Sequence, residues 1–451
     1  MKDARLPLHL KLIYGLGDHS VNVALVALTM IFPFYLTDVV EMRIGLAGLV
    51  PLVGRSVDAI SDVWMGRLSD RIRWKAGRRR PFFLIGALPF AFFFAAIWAA
   101  PTFESTTLEF AYYVGVYMMI SISMTVVAVP YQALLPDLTD DYDERTSLAT
   151  FRSVSSLIGT LLIAISFRPL VAYLGGEASA WATAGMIYGF WILWPWLPIW
   201  AVTYERPPRE ESAALPFRDY VTLILKNQNY RRLLAFFAMG RIAIDLPMAL
   251  FLHYFTYVIG HREYFEPMMG TFLVGTVIAM PFWLRFARGR DKVTVYFAAC
   301  AGWTLTFSSL LLVPADFPLA GMIVISLLSG AGYAAADMMP WSMVADIADE
   351  DEIISGERRE GIFVGLFTFI RKMTGAVAVA IAFLVLDRVG FEPNVENSET
   401  VVTAIRWLTA GVPVLFILVS VLAARGYTLG HKEHEAILDE LSERTRQREA
   451  G

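Results

Sequence analysis

The 451-residue chain contains one cysteine, Cys300, so no disulfide framework holds it together. Charge is scarce too: Asp, Glu, Lys and Arg make up 18% of the residues, against about 25% in an ordinary soluble domain. The signs nearly cancel, at net −4, and no segment is basic enough to suggest a nucleic-acid binder. The start, MKDARLPLHLKLIYGLGDHS, lacks a small-residue cleavage site after a short apolar core, so it is not read as a removable signal peptide. What abounds is apolar: 56% of residues are hydrophobic, in runs such as 81–100, 183–202 and 293–313. Each is long enough to cross a hydrocarbon core, which takes about 20 helical residues. A soluble enzyme is excluded, and a multi-pass protein of a cell membrane, a bacterial inner membrane by expectation, is indicated.

Hydropathy predicts twelve spans, near 11–38, 44–69, 81–100, 108–136, 146–173, 180–203, 230–259, 266–286, 292–313, 317–346, 360–387 and 401–425. With both termini cytoplasmic, 27 of the 38 Lys and Arg fall in cytoplasmic segments. Only Arg43, Arg168, Arg262 and Arg388 fall on the outer side, so the charge bias selects this orientation. A Pro-rich, charged stretch at 204–229 divides the spans six and six, with a surface helix expected near 216–227. The halves echo each other: ALLPDLTDDYDERTSLATFR follows span 4, and SMVADIADEDEIISGERREGIF follows span 10. Both combine a helix end, an acidic cluster and a Glu-Arg pair. The expected fold is therefore an all-α membrane protein of the major facilitator type, with six-helix bundles at 1–203 and 230–425. The tail, 426–451, carries a charged amphipathic helix read as solvated or lying on the membrane surface, and its HKEH segment is read as surface.

Charges inside spans are the informative exceptions, since each costs about 2.5–3.5 kcal/mol at a helix centre. In span 2, GRSVDAISDVWMG places Arg55, Asp58 and Asp62 at i, i+3 and i+7, on one helix face. Two carboxylates one turn apart do not both ionise in a dry site without a cation. The pair is a candidate site for Na⁺, Li⁺ or a shared H⁺, with Thr125 of span 4 as a hydroxyl ligand. A structural ion-pair network with Arg55 and Lys372 is the alternative. Span 11 holds Arg371 and Lys372 in an apolar run, and Lys372 is the expected partner of the carboxylates; snorkelling of both towards the cytoplasm is the other reading.

Arg152, Arg241 with Asp245, and Asp337 with Trp341 are further polar pairs or singletons within spans. Asp18, His19 and Asn22 give span 1 a polar face, and Gln132 does so for span 4. Asp18, Asn22, Gln132, Arg152, Asp337 and Trp341 are the candidate solute contacts, while His19 reads as a satisfied core histidine. The basic loop SDRIRWKAGRRRPFF, with Asp70, Arg78 and Arg79, reads as a conformational latch onto the acidic segments 137–144 and 346–352. TDDYDE at 139–144 superficially suggests a magnesium-binding enzyme motif, but lacks the usual spacing.

These residues resemble a known family. RSVDAISDVWMG, KLIYGLGD, FYLTDVV, the RW-K-GRRRPF loop, VPYQALLPDLT, DERTSLATFR, YFTYVIG, MVADIADE, GFEPNV and PVLF together are similar to the glycoside–pentoside–hexuronide:cation symporters, the melibiose-carrier-like group, across nearly all of 11–425. The resemblance implies cation carboxylates at Asp58 and Asp62, a cation-site threonine at Thr125, the span-11 lysine at Lys372 and a sugar-contacting arginine at Arg152. The chain departs from the pattern elsewhere. Asn22 stands where such carriers have a sugar-binding aspartate, Ala128 replaces a second aspartate, and Gln132 and Asp337 replace tryptophans. Ser61 stands where sodium users often have asparagine, which leaves Na⁺ and H⁺ both open. The likeness extends to animal lysophosphatidylcholine symporters through Pro340–Met343 followed by Asp346. The expected function is cation-coupled symport of a sugar or glycoside by alternating access, with a lysolipid or other amphiphile as the alternative. No cofactor is expected beyond the coupling ion, and the carrier is expected to be a monomer in the bilayer.

Overall fold

The computed structural model describes residues 6–72, 74, 77–139, 141–206, 227–356 and 360–450. The expected surface helix near 216–227 lies almost wholly outside them. Helices follow the apolar runs in order: α1 (Leu8–Asp38), α2 (Ile44–Arg71), α3 (Arg80–Ala96), α4 (Thr106–Leu138), α5 (Tyr142–Tyr173), α6 (Ala178–Val202), α7 (Gln228–Ile259), α8 (Phe265–Ala287), α9 (Lys292–Ser309), α10 (Leu319–Ser355), α11 (Glu360–Arg388), α12 (Glu399–Ala424) and the tail helix α13 (His431–Ala450). Among the described residues, ten helices are long and apolar enough to cross a membrane. The other two expected spans form the shorter α3 and α9, of 17 and 18 residues.

The chain divides into two units, Met1–Glu211 with Val379–Asn397, and Ser212–Ala378 with Ser398–Gly451. In the first, α1 packs along α5, α2 along α4, and α3 against both α4 and α6. The second repeats the scheme: α8 lies along α10, and α9 packs against α10 and α12. The internal echo seen in the sequence is thus a repeat of helix neighbours.

Local sequence explains the helix ends and irregularities. Asp141 caps α5 by accepting the Glu144 N–H at 2.8 Å, and Glu144 takes Lys11 Nζ at 2.8 Å. The acidic TDDYDE segment therefore caps and anchors a helix. Pro195 lacks an N–H and interrupts α6 after Leu193, where one unbroken span is expected. YFTYVIG forms the wide π turn Phe255–Ile259 that ends α7, closed by Gly260 at φ 84°. Its counterpart in α1 is the π turn Ala27–Ile31. ADIADEDE, which lies mostly beyond the predicted end of span 10 at 346, prolongs α10 to Ser355.

The tail helix α13 is largely exposed and contacts the second unit at particular points. Asp291 accepts the His431 N–H at 2.8 Å, His434 Nε2 lies 3.1 Å from Asp349, and Arg444 donates to the Ile353 carbonyl at 3.0 Å. Half-buried Asp349 and the Ile353 carbonyl near the end of α10 thereby gain partners from the tail.

Candidate cation and solute sites

The centre of the first unit is set by the crossing of α2 and α4. Gly54 permits it, since a Cβ there would overlap the Tyr117 ring. One turn on, the two helices bring a cluster of oxygens together. Thr125 Oγ1 lies 3.1 Å from Asp58 Oδ1, 2.9 Å from Asp62 Oδ1 and 3.1 Å from Ser61 Oγ. Asp58 is 4% exposed and Thr125 2%. The Thr125 hydroxyl has one hydrogen, so it cannot satisfy both carboxylates at once. Carboxylate and hydroxyl oxygens gathered in this way are the ligand type that suits H⁺ or an oxygen-loving cation such as Na⁺. Arg55 donates from Nη2 to Thr29 Oγ1 of α1 at 2.6 Å. Lys372, expected as a partner of the carboxylates, belongs to the second unit.

A second cluster joins α1, α4 and α5. Arg152 grips Asp18 with two donors, Nε to Oδ2 at 2.5 Å and Nη2 to Oδ1 at 3.3 Å. Its guanidinium lies 5.0 Å from the Tyr131 ring centroid and 5.9 Å from that of Tyr14. The tyrosines fix each other: Tyr14 OH donates to the Tyr131 carbonyl at 2.8 Å, and Tyr131 OH returns a bond to the Tyr14 carbonyl at 2.7 Å. Tyr14 was missed in the sequence, although its i, i+4 spacing to Asp18 places both on one face. Asn22 folds back on the Asp18 carbonyl at 2.8 Å. Gln132 is exposed, and as Tyr131's neighbour it projects from a different side of α4.

His19 is held as a neutral ring. Trp191 Nε1–H donates to its Nε2 at 2.9 Å, which leaves Nδ1 to carry the hydrogen facing the Ser155 carbonyl at 3.3 Å. That is the satisfied core histidine the sequence suggested.

In the second unit Arg241 donates to Asp245 and, at 3.2 Å, to Asp337. Asp337 therefore enters an ion cluster whose Arg241 and Asp245 are buried. Trp341, one turn along α10, is 37% exposed and packs edge-on against Phe367 at 4.9 Å. Arg371 stands 6.0 Å from the Trp341 ring.

The basic loop forms a clasp inside the first unit. Arg79 Nη1 meets Asp137 at 3.1 Å, and Arg78 approaches it at 3.7 Å. The backbone N–H groups of Arg78, Arg79 and Arg80 all donate to the Glu205 carboxylate, at 2.8, 3.0 and 2.8 Å. Glu205, unnoticed in the sequence, thereby caps α3 from the far end of α6. The side chain of Asp70 lies outside the described residues, and Asp346 in the other expected acidic segment pairs with Lys292 at 2.7 Å. Replacing Glu205 with Ala leaves these donors without their acceptor and is expected to cost about 2 kcal/mol, the upper range for a lost cap. Thermal unfolding of the detergent-solubilised protein checks this; an unchanged midpoint counts against the clasp.

Charged pairs inside long apolar helices, with acid and hydroxyl oxygens converging on one point, mark functional sites within the membrane-spanning region, and the family match below makes the protein a transporter. The chain belongs to the MFS/sugar transport protein family, whose pattern it matches over residues 13–431, and within it to the glycoside–pentoside–hexuronide:cation symporters. It is 26% identical to the inner membrane symporter YicJ of Escherichia coli, covering 98% of this chain and 96% of the relative. It is also 26% identical to a putative sulfoquinovose importer of E. coli, over 98% and 95%. Likewise it is 26% identical to the sodium-dependent lysophosphatidylcholine symporter 1 of Gallus gallus, over 97% and 90%. Among solved structures it superposes on a bacterial homologue of the lysosomal transporter Spinster, with a TM-score of 0.68 at 13% identity over 96% of this chain and 97% of that one. The nucleoside transporter NupG gives 0.64 at 15% identity over 93% and 100%. The protein is thus a multi-pass, cation-coupled symporter with a major facilitator fold.

Proposed function

We propose that this symporter carries a sugar or glycoside, drives it with Na⁺ or H⁺ held by Asp58, Asp62 and Thr125, and spans the membrane twelve times with both termini cytoplasmic. The observation that carries the coupling reading is the convergence of Asp58, Asp62 and Ser61 oxygens on the Thr125 hydroxyl, each within 3.1 Å. For the solute, Asp18 and Arg152 supply acceptors and donors side by side, flanked by the faces of Tyr14 and Tyr131. Paired charges beside aromatic rings suit hydroxyl-rich rings, which need several donors and acceptors and an apolar platform. Asp337 and Trp341 are the corresponding candidates in the second unit. Asp70, Arg78 and Arg79 are assigned to the conformational latch. The carrier is taken to work as a monomer.

A second reading, an amphiphile with a charged head, is favoured by the relative named for lysophosphatidylcholine. Thermal stability of the purified protein against sugars, glycosides and lysolipids separates the two, with Na⁺, Li⁺ or choline at two pH values. Ligand at 100 times its Kd stabilises the native state by about 2.7 kcal/mol. A sugar or glycoside shift that grows with Na⁺ or with acid is the expected result. A shift from lysolipids alone overturns the sugar reading and leaves the cation site standing.

A further inference from the structure

The last turns of α10 hold five acids, Asp346, Asp349, Glu350, Asp351 and Glu352, at the end of the helix where the macrodipole is already negative. Asp346 takes Lys292 Nζ at 2.7 Å, and the same ammonium donates to the Ser342 carbonyl at 3.0 Å. Glu350 accepts the side-chain amides of Asn227 and Asn229 at 3.0 and 2.8 Å. Asp349 is served differently. Among the described residues, the one cationic group within ion-pair distance of it is His434 of the tail helix, whose Nε2 lies 3.1 Å away. That nitrogen also stands 3.5 Å from Asp346 Oδ1. The side chains of His434 and Asp349 are 20% and 16% exposed, so water screens their contact less than it does a pair on the open surface.

The groups facing the His434 ring are thus Asp346 and Asp349 of α10, with Lys292 at the start of α9 already balancing Asp346. The other anchors of the tail lie mostly at its root. Asn229 Oδ1 accepts the Thr428 N–H and hydroxyl at 3.2 and 3.0 Å, and Asp291 accepts the His431 N–H at 2.8 Å. Further along, Arg444 divides its donors between the Ile353 carbonyl and Glu440 of its own helix. Between root and far end, the fastening is His434. A protonated ring gives Asp349 its counter-charge. A neutral ring can still donate from Nε2, but the contact loses its ionic part, and Asp349 is left uncompensated at a negative helix end.

We infer that α13 is a pH-responsive strap. With His434 protonated it is fastened along the end of α10; with His434 neutral it stays tied at Thr428 and His431 while the remainder swings away. Acid on the side of the membrane that carries the tail fastens the strap, and alkali loosens it. Every group involved belongs to the second unit, apart from Asp58, Asp62 and Thr125 in the first.

Spin labels placed on the exposed positions of Arg290→Cys and Glu443→Cys, in a Cys300→Ser background, report the separation of α13 from the start of α9 in proteoliposomes. Distances are read by electron–electron double resonance at about pH 5 and about pH 8, the limits between which an imidazole changes charge. A short, narrow distribution is expected in acid, and a longer population that grows several-fold in alkali. His434→Lys, charged throughout, is expected to keep the short distance at both values. His434→Gln, neutral throughout, is expected to show the long population at both. A distribution that does not move with pH in the protein with His434 intact overturns the strap. A pH response that persists in both variants, or a tail that stays fastened in His434→Gln, overturns the assignment to His434 and with it the inference.

Discussion

Asp58→Asn and Asp62→Asn are each expected to cut cation-driven accumulation by about a hundredfold while the protein still inserts and folds. Both carboxylates meet the Thr125 hydroxyl, which in turn lies 3.1 Å from that of Ser61. A bound cation balances their charge in a medium where an uncompensated carboxylate costs several kcal/mol. An asparagine amide brings its own hydrogens and removes one negative charge. The site then closes without a cation, and the ion gradient no longer does work on the carrier. A hundredfold loss corresponds to about 2.7 kcal/mol of coupling free energy. Coupling is reciprocal, so each variant should also lose the increase in solute affinity that the cation gives. Solute exchange without a gradient should persist, because Arg152 and Asp18 lie on other helices. Thr125→Ala should be milder, reducing apparent cation affinity roughly tenfold, about 1.4 kcal/mol, by removing one neutral oxygen. Uptake into proteoliposomes under imposed Na⁺ or pH gradients measures all of this. Normal uphill accumulation by both asparagine variants sinks the cation site and leaves Asp58 and Asp62 as structural groups.

How much of this was legible in the sequence follows from the range of each interaction. Every expected span became a helix within a few residues at most ends, because hydropathy acts over some 20 residues and survives local error. The face shared by Asp58 and Asp62 was equally legible, since i, i+4 spacing is local. Arg152 was recognisable as an intramembrane charge, but its pairing with Asp18 was not, since 134 residues separate them. The same holds for Glu205, which reads as one acid in a charged stretch yet caps a helix 125 residues upstream. Likewise Arg79 of the basic loop meets Asp137, 58 residues on, and Asp346 takes Lys292, 54 residues back. The tail helix reads as a surface element and most of it is exposed, but the sequence does not show that His434 meets Asp349 of α10. Sequence spacing shows which groups need partners, and packing decides which partners they meet.

The Asp18–Arg152 pair lends itself to a double-mutant cycle with a strong expected outcome. Arg152→Ala strands Asp18 beside Tyr131, whose hydroxyl at 3.4 Å is a weak substitute. Breaking a buried pair from one side costs about 3–5 kcal/mol. With side-chain exposures of 19% and 16%, this pair belongs near the lower end. Asp18→Asn should cost less, because the amide oxygen still accepts from the guanidinium and the tyrosine faces still bear on the remaining charge. The double variant Asp18→Asn/Arg152→Ala should recover most of the stability lost in Arg152→Ala, since no charge is then stranded. Solute binding should not recover with it. If Arg152 grips the solute, both variants lacking it lose at least a hundredfold in affinity whatever their melting temperature. Arg152→Lys, which keeps the charge but not the fork, should fall in between. Thermal midpoints with and without solute, measured for all four proteins, keep the two roles apart. Restored binding in the double variant would assign Arg152 to the architecture of α1, α4 and α5, and the solute contacts would then have to be sought around Asp337 and Trp341.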